Sequence, residues 1–231
     1  MVAHVVNAAE KGCYVVLEGD EGSGKTTQIK LLRERLKRDL GLEVEQIREP
    51  GGDPVAEAIR QILLGAHEPI APIAELFMFL AARANVLKMV VQPLLNRGVW
   101  VVADRCYLSS LVYQGYARGL DEGVQNRHFT VFRDTVKWAA CPTLPDRIIV
   151  LNIPPEVSIM RQLDRGSAFD RMEQEENDFR LKVNMGYHYY VDNQGYNTDF
   201  FAVDGIGSID QVHDRIWGQV LQLFPRTRSI A

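Results

Sequence analysis

The 231-residue sequence has only three cysteines, Cys13, Cys106 and Cys141, widely spaced and odd in number. That argues against a disulfide framework and against a CxxC-type zinc site. No apolar run approaches the ~20 residues needed to cross a bilayer. Residues 1–12 lack the basic opening and long apolar stretch of a secretory signal. Basic charge is not in excess: the formal net charge is -4, which argues against a protein that coats DNA or RNA. There is no internal repeat, low-complexity segment or Pro/Gly/Ser linker. What remains, 46% hydrophobic and 24% charged residues, is an ordinary globular composition. The expectation is a cytoplasmic enzyme without membrane or nucleic-acid partners.

Short β-rich runs alternate with longer helical ones. Strands are expected at Tyr14 to Glu18, Val44 to Ile47, Trp100 to Ala103, Arg147 to Leu151 and Phe200 to Val203. Helical periodicity follows each: Lys25 to Lys37, with Ile29, Leu32 and Leu36 on one face; Pro54 to Leu64; Pro72 to Asn96, with a kink expected at Pro93; Ser109 to Tyr116; Val124 to Ala140; Pro155 to Leu163; Glu175 to Tyr190; and Ser208 to Leu223. Such alternation predicts an α/β fold, a five-stranded parallel sheet with helices on both faces. One domain is expected over residues 13–224, with 1–12 as an N-terminal extension and 225–231 as a C-terminal tail. The polar segment at about 161–174 reads as a short lid.

Gly19-Asp20-Glu21-Gly22-Ser23-Gly24-Lys25-Thr26 matches GxxxxGK[ST] at every fixed position. It follows an apolar strand and opens a helix, the context that motif requires. Glycines let successive N–H groups turn inward around phosphate oxygens, and the helix N-terminus adds partial positive charge. Lys25 would reach the β- and γ-phosphates, and the Thr26 hydroxyl would ligate magnesium, with Thr27 beside it. The loop implies a nucleoside triphosphate and leaves its fate open, since motors, GTPases, transporters and kinases share it. No Asn-Lys-x-Asp reads guanine, and no hydrophobic run ends in Asp-Glu.

Asp104-Arg105 follows the third expected strand, and strand carboxyl ends face the ligand crevice of a parallel sheet. Asp104 would suit magnesium or its waters, and Arg105 an acceptor phosphate; the bland alternative is a surface ion pair of little energetic value. Arg48, Arg83, Arg161, Arg165 and Arg171 add further cations. Phosphoryl transfer between anions needs such fixed positive charge and few bases, and the planar guanidinium binds phosphate oxygens in pairs.

Five segments in order resemble the thymidylate kinases, from about Tyr14 to Leu223: the phosphate loop, Arg48-Glu49-Pro50-Gly51-Gly52, Glu75 to Arg83, Asp104-Arg105 with Ser109-Ser110 and Tyr113-Gln114-Gly115, and Asp170 to Glu175. The resemblance implies transfer of the γ-phosphoryl of ATP, with Mg²⁺, to dTMP, giving dTDP, by a homodimer. It implies that Phe79 stacks on thymine; the periodicity alone reads Phe79 as core. It implies that Arg83 and Gln114 read the base, Tyr113 packs on the sugar, and Arg48 and Arg105 hold the acceptor phosphate beside Glu49, Pro50, Ser109 and Ser110. Asp104, with Glu49, would support the metal, and Tyr187 would face the nucleotide. Glu21 joins Lys25 and Arg105 among the expected catalytic groups.

The phosphate loop carries no arginine, so the resemblance is to the type that supplies its catalytic arginine from the lid, here Arg165 and Arg171. Asp53 stands where the family most often has Thr, and Cys106 where an aromatic or His is common. Residues 166–169 read as an insertion. Asp53 and Cys106 keep a second acceptor class open, dUMP or a 5-substituted dUMP. A nucleotide-binding scaffold without catalysis would be expected to have lost Lys25, Arg105 or the lid arginines, and all are present.

Overall fold

The computed structural model describes residues 11–65, 68–121, 127–165, 171–172, 175, 177–192 and 200–224. Five strands form one all-parallel sheet in the order β2-β3-β1-β4-β5: β1 (Tyr14–Gly19), β2 (Val44–Arg48), β3 (Trp100–Asp104), β4 (Arg147–Asn152) and β5 (Phe200–Asp204). The expected α/β architecture is therefore the observed one. From β1 the chain crosses to the far edge to form β2, comes back to place β3 beside β1, then adds β4 and β5 on the other side. The carboxyl end of β1 is thus the point where strand order reverses, which is where ligands settle in open α/β sheets.

Residues alternate strictly between the two faces of the sheet. Tyr14 and Val16 of β1 join Val101, Ala103, Ile148 and Val150 in one core with Leu76, Leu80 and Leu108. Val15 and Leu17 join Val102, Ile149 and Leu151 in the other core, with Ile29, Leu32, Leu36 and Ile216. Helices α1 (Lys25–Leu40) and α9 (Ile209–Leu221) cover the second face; α3 (Pro72–Val86), α6 (Arg127–Ala140) and α8 (Asn177–Asp192) contribute to the first. The central strands β1, β3 and β4 are buried on both faces, so they read as continuous apolar runs.

Each strand runs one residue past its sequence-expected end, and those extra residues include Gly19, Arg48 and Asp104. Register sets Arg48 opposite Asp104, and Asp104 opposite Leu17. The sheet thus delivers three site segments to one edge.

The long Pro72 to Asn96 helix is not uniform. After α3 the backbone widens into a π turn over Leu87–Val91, then resumes as α4 (Gln92–Asn96). Pro93 has no N–H to donate and its ring would crowd the carbonyl of Met89; the wider turn removes both conflicts. A second π turn, Leu111–Ala117, follows the short helix α5 (Tyr107–Ser110) and carries Tyr113 and Gln114. Such wide turns recur at functional sites because they re-aim side chains without breaking the helix. The remaining helices are α2 (Pro54–Gly65) and α7 (Pro155–Arg165).

Candidate active site

The phosphate loop joins β1 to α1. Gly24 caps α1 at φ 95°, and Gly22 sits at φ 74°, where a Cβ would also lie 2.8 Å from the Ser158 carbonyl oxygen. A side chain at Gly22 would meet both the left-handed backbone penalty and backbone atoms that cannot move. Lys25 is buried, and its Nζ donates to the carbonyls of Gly19 and Asp20, each at 2.9 Å. That leaves one ammonium N–H for a ligand. Thr26 and Thr27 are exposed at the start of α1. The Ser23 hydroxyl oxygen is buried without a hydrogen-bond partner. An orphaned polar atom here suits a loop that closes around phosphate oxygens. Burial pushes the Asp20 carboxyl up, although the Glu21 backbone N–H and the Lys25 charge pull against it.

The outside of the loop is gripped by α7. Ser158 Oγ at 2.7 Å and Gln162 Nε2 at 3.3 Å both donate to the Glu21 carbonyl, and Arg161 donates to the Gly22 carbonyl at 3.3 Å. C=O and N–H of one peptide point opposite ways, so fixing the Glu21 carbonyl outward directs the Gly22 N–H inward. Arg180 of α8 donates in turn to Gln162 Oε1 at 2.8 Å.

Arg105 sits at the sheet edge where β1 and β3 end. Its Nη1 donates to Tyr187 Oη (2.7 Å), Ser109 Oγ (3.1 Å) and the Gly19 carbonyl (3.3 Å); its Nη2 donates to Tyr113 Oη (3.1 Å) and Glu21. Glu18 lies behind it, wholly buried, accepting from the backbone N–H of Cys106 (2.8 Å) and Ser109 (3.0 Å) and from Tyr187 Oη (2.8 Å). Burial works against the guanidinium charge, but Tyr113, Tyr187, Glu21 and Glu18 outweigh it and hold the pKa well above its ordinary value. Arg105 has φ 76°, the only positive φ among the described non-glycine residues. Backbone strain of this kind persists where surrounding bonds over-determine the conformation, often at functional sites.

From the loop a cleft of about 860 Å³, open space included, passes Arg105, Ser109, Ser110 and Tyr113 to Phe79, Arg83 and Gln114. Phe79 is half-buried and belongs to neither core, so its ring faces the cleft rather than the sheet. Arg83 is buried; Nε donates to Glu49 Oε2 at 2.5 Å, Nη1 to Ser110 Oγ at 2.9 Å, and Nη2 to the Cys106 carbonyl at 2.9 Å. Burial pushes the Glu49 carboxyl up despite Arg83. One turn before Phe79 on the same stripe lies Glu75, fully buried. It accepts from Gln114 Nε2 (2.9 Å), Arg118 (3.1 and 3.3 Å) and Arg171 (2.5 Å).

Not every expected residue meets the cleft. Arg48 turns to Glu57 at 3.2 Å and is mostly exposed. Arg171 faces Glu75 and the Leu63 carbonyl rather than the phosphate loop. The side chain of Arg165 and residues 166–170 and 173–174 lie outside the described residues. Pro50 lines the cleft; Tyr187 does not, acting through Glu18 and Arg105. Residues the sequence reading missed include Arg60, Gln162, Phe179 and Arg180 on the cleft wall, and Glu18, Glu75 and Ser158 behind it. Arg60 had a signal: it lies four residues after Ala56 and three before Leu63, both buried.

Asp53 and Cys106 have structural explanations. Asp53 Oδ1 accepts from the Val55 and Ala56 N–H groups (2.9 and 3.1 Å) and from Asn85 (2.8 Å), capping α2. Cys106 is core, with a buried thiol whose pKa is pushed up by burial. Neither lines the cleft.

Among the described residues no cluster of three or more His, Cys, Asp or Glu could hold a metal by itself. Magnesium carried by nucleotide phosphates needs only one or two protein oxygens. Thr26 and Asp104, whose side chains make no hydrogen bond or ion pair among the described residues, fit that requirement. Glu49 is committed to Arg83.

A GxxxxGKT loop at the switch point of a parallel 2-3-1-4-5 sheet, opening into an arginine-lined cleft, defines a nucleoside-monophosphate-kinase-like P-loop protein. A sequence model of thymidylate kinase matches residues 17–216. A thymidylate kinase of Caldanaerobacter subterraneus subsp. tengcongensis is 36% identical over 89% of this chain and 93% of its own length. Those of Chlorobaculum tepidum (35%, covering 92% and 99%) and Psychrobacter sp. (37%, covering 91% and 98%) are similar. The chain belongs to the thymidylate kinase family.

Proposed function

We propose that the protein transfers the γ-phosphoryl group of ATP to dTMP, giving dTDP. The observation that supports this best is one continuous cleft linking the phosphate loop to Phe79 and Gln114 through Arg105. An acceptor whose base lies against Phe79 has its phosphate near Arg105 and the loop, in line for attack on the terminal phosphoryl of the donor. The acceptor phosphate is already anionic, so no general base is required. Lys25, Arg105 and, from the lid region, Arg165 stabilise the charge spread over the transferring group, whereas Arg171 is held by Glu75. Thr26 and Asp104 would hold the magnesium of the ATP complex, which when bound offsets charge on the β- and γ-oxygens. Glu21 holds Arg105 in its fork until the phosphate arrives. Closure of the lid over both nucleotides excludes water and limits ATP hydrolysis.

We place the reaction in the cytoplasm, where the three free cysteines stay reduced. No helix among the described residues is long and apolar enough to cross a membrane. We also propose a homodimer, because α2, α3 and α6 expose Ile62, Phe77 and Val131. A coupled assay with ATP, Mg²⁺ and a panel of dTMP, dUMP, dCMP and dGMP tests the reaction. Preference for dTMP is expected; an inert dTMP beside another acceptor that turns over refutes it.

A further inference from the structure

Glu75 has no part in the transfer described above, yet it is among the most completely satisfied side chains behind the cleft. It lies in the first turn of α3, on the stripe that continues through Phe79 and Arg83 at i+4 and i+8. Arg118 spans both of its oxygens at 3.3 and 3.1 Å, and Arg171 reaches Oε2 at 2.5 Å. Gln114 Nε2 completes the set at 2.9 Å on Oε1.

We propose that Glu75 is a positioning residue that sets the amide of Gln114, so that the base end of the cleft presents a hydrogen-bond acceptor and selects a pyrimidine carrying an N3–H. This rests on the function proposed above and deepens it. The physical argument begins with the carboxylate. Burial opposes its charge, but the hydrogen bonds from Gln114, Arg118 and Arg171 outweigh that and hold its pKa below the ordinary value. An ionised carboxylate only accepts. Gln114 must therefore turn its NH₂ toward Glu75, whichever way the amide would otherwise lie. Its Oε1 has no partner among the described residues, and Gln114 lines the cleft. A free, nearly buried amide oxygen is unfavourable unless a ligand donates to it. Thymine and uracil offer an N3–H; cytosine offers a lone pair at N3, which would face the oxygen lone pairs. A site built to receive an N–H rejects an analogue lacking it, because its own polar group is left unpaired.

The experiment compares dTMP with 5-methyl-dCMP, which has nearly the same shape. Steady-state kcat/KM for each acceptor is measured for the native enzyme and for Glu75→Gln. An amide at position 75 both donates and accepts, so Gln114 is free to present either end. The dTMP to 5-methyl-dCMP preference is expected to fall ~10-fold or more, through the acceptor KM, with the ATP KM unchanged. Equal loss for both acceptors, with the ratio intact, overturns the proposal. Because Glu75→Gln leaves two arginines short of a partner, Gln114→Met is measured in parallel. It keeps Glu75 and its arginines and removes only the amide; an unchanged ratio there also overturns the proposal. A native enzyme that ignores dTMP altogether would instead refute the function on which this rests.

Discussion

Arg105→Lys is the sharpest test of the site. Both residues carry a Cβ and both would sit at φ 76°, so the backbone strain is common to the two and cancels. What changes is the shape of the cation. The guanidinium reaches Tyr187, Ser109 and Gly19 with Nη1 while Nη2 reaches Tyr113 and Glu21. An ammonium is a single point and can serve one of these groups but not both. Glu18 is not stranded, because two backbone N–H groups and the Ser109 and Tyr187 hydroxyls still serve it. The stability cost is therefore the loss of one side of the fork, about 2 kcal/mol. For a chain of this size that lowers Tm by ~4–8 °C. Loss of oriented charge at the acceptor phosphate should lower kcat/KM for dTMP by ~10²–10³-fold. A coupled kinase assay and a thermal melt on the same preparation read both. Activity within threefold of the native enzyme, or a rise in the ATP KM alone, would refute the role given to Arg105.

Three further outcomes are expected. Phe79→Ala should raise the dTMP KM at least ~10-fold while leaving the ATP KM within twofold, since the ring faces the cleft and not a core; equal effects on both would make it a packing residue. Ser158→Ala removes the 2.7 Å bond that holds the Glu21 carbonyl outward. It should weaken ATP binding ~3–10-fold without altering dTMP affinity, measured by calorimetry with each nucleotide separately. The third concerns acid. The pKa of Glu75 is lower in the folded state than in the unfolded chain. Its contribution is therefore complete above the unfolded value of ~4.3 and is lost as pH falls through the folded one. Melting temperatures taken from pH 7 to 3 should fall less steeply for Glu75→Gln than for the native protein; parallel curves would contradict this.

Much of the site was legible without coordinates. The phosphate loop announces itself by spacing and by the strand and helix around it. The i, i+4 relation of Phe79 and Arg83 puts both on one helix face. Other parts were not legible. Arg48 reads as an acceptor-phosphate ligand by its motif, yet it pairs with Glu57 of α2. Asp53 and Cys106 look like departures that touch substrate choice, yet one caps α2 and the other is core. Both assignments depend on what lies opposite, and a linear motif does not carry that. Glu75 was visible as a letter in a motif, but its meaning comes from Gln114, Arg118 and Arg171, which lie 39, 43 and 96 positions away.

The sequence by itself determined the sheet, the helices, the phosphate loop and the family, because these follow from local periodicity, glycine placement and motif order. The tertiary structure alone decided which cations face the cleft and which are spent on carboxylates. An arginine's role is set by the nearest buried anion. Only folding brings Glu18 behind Arg105, Glu49 behind Arg83 and Glu75 behind Arg171.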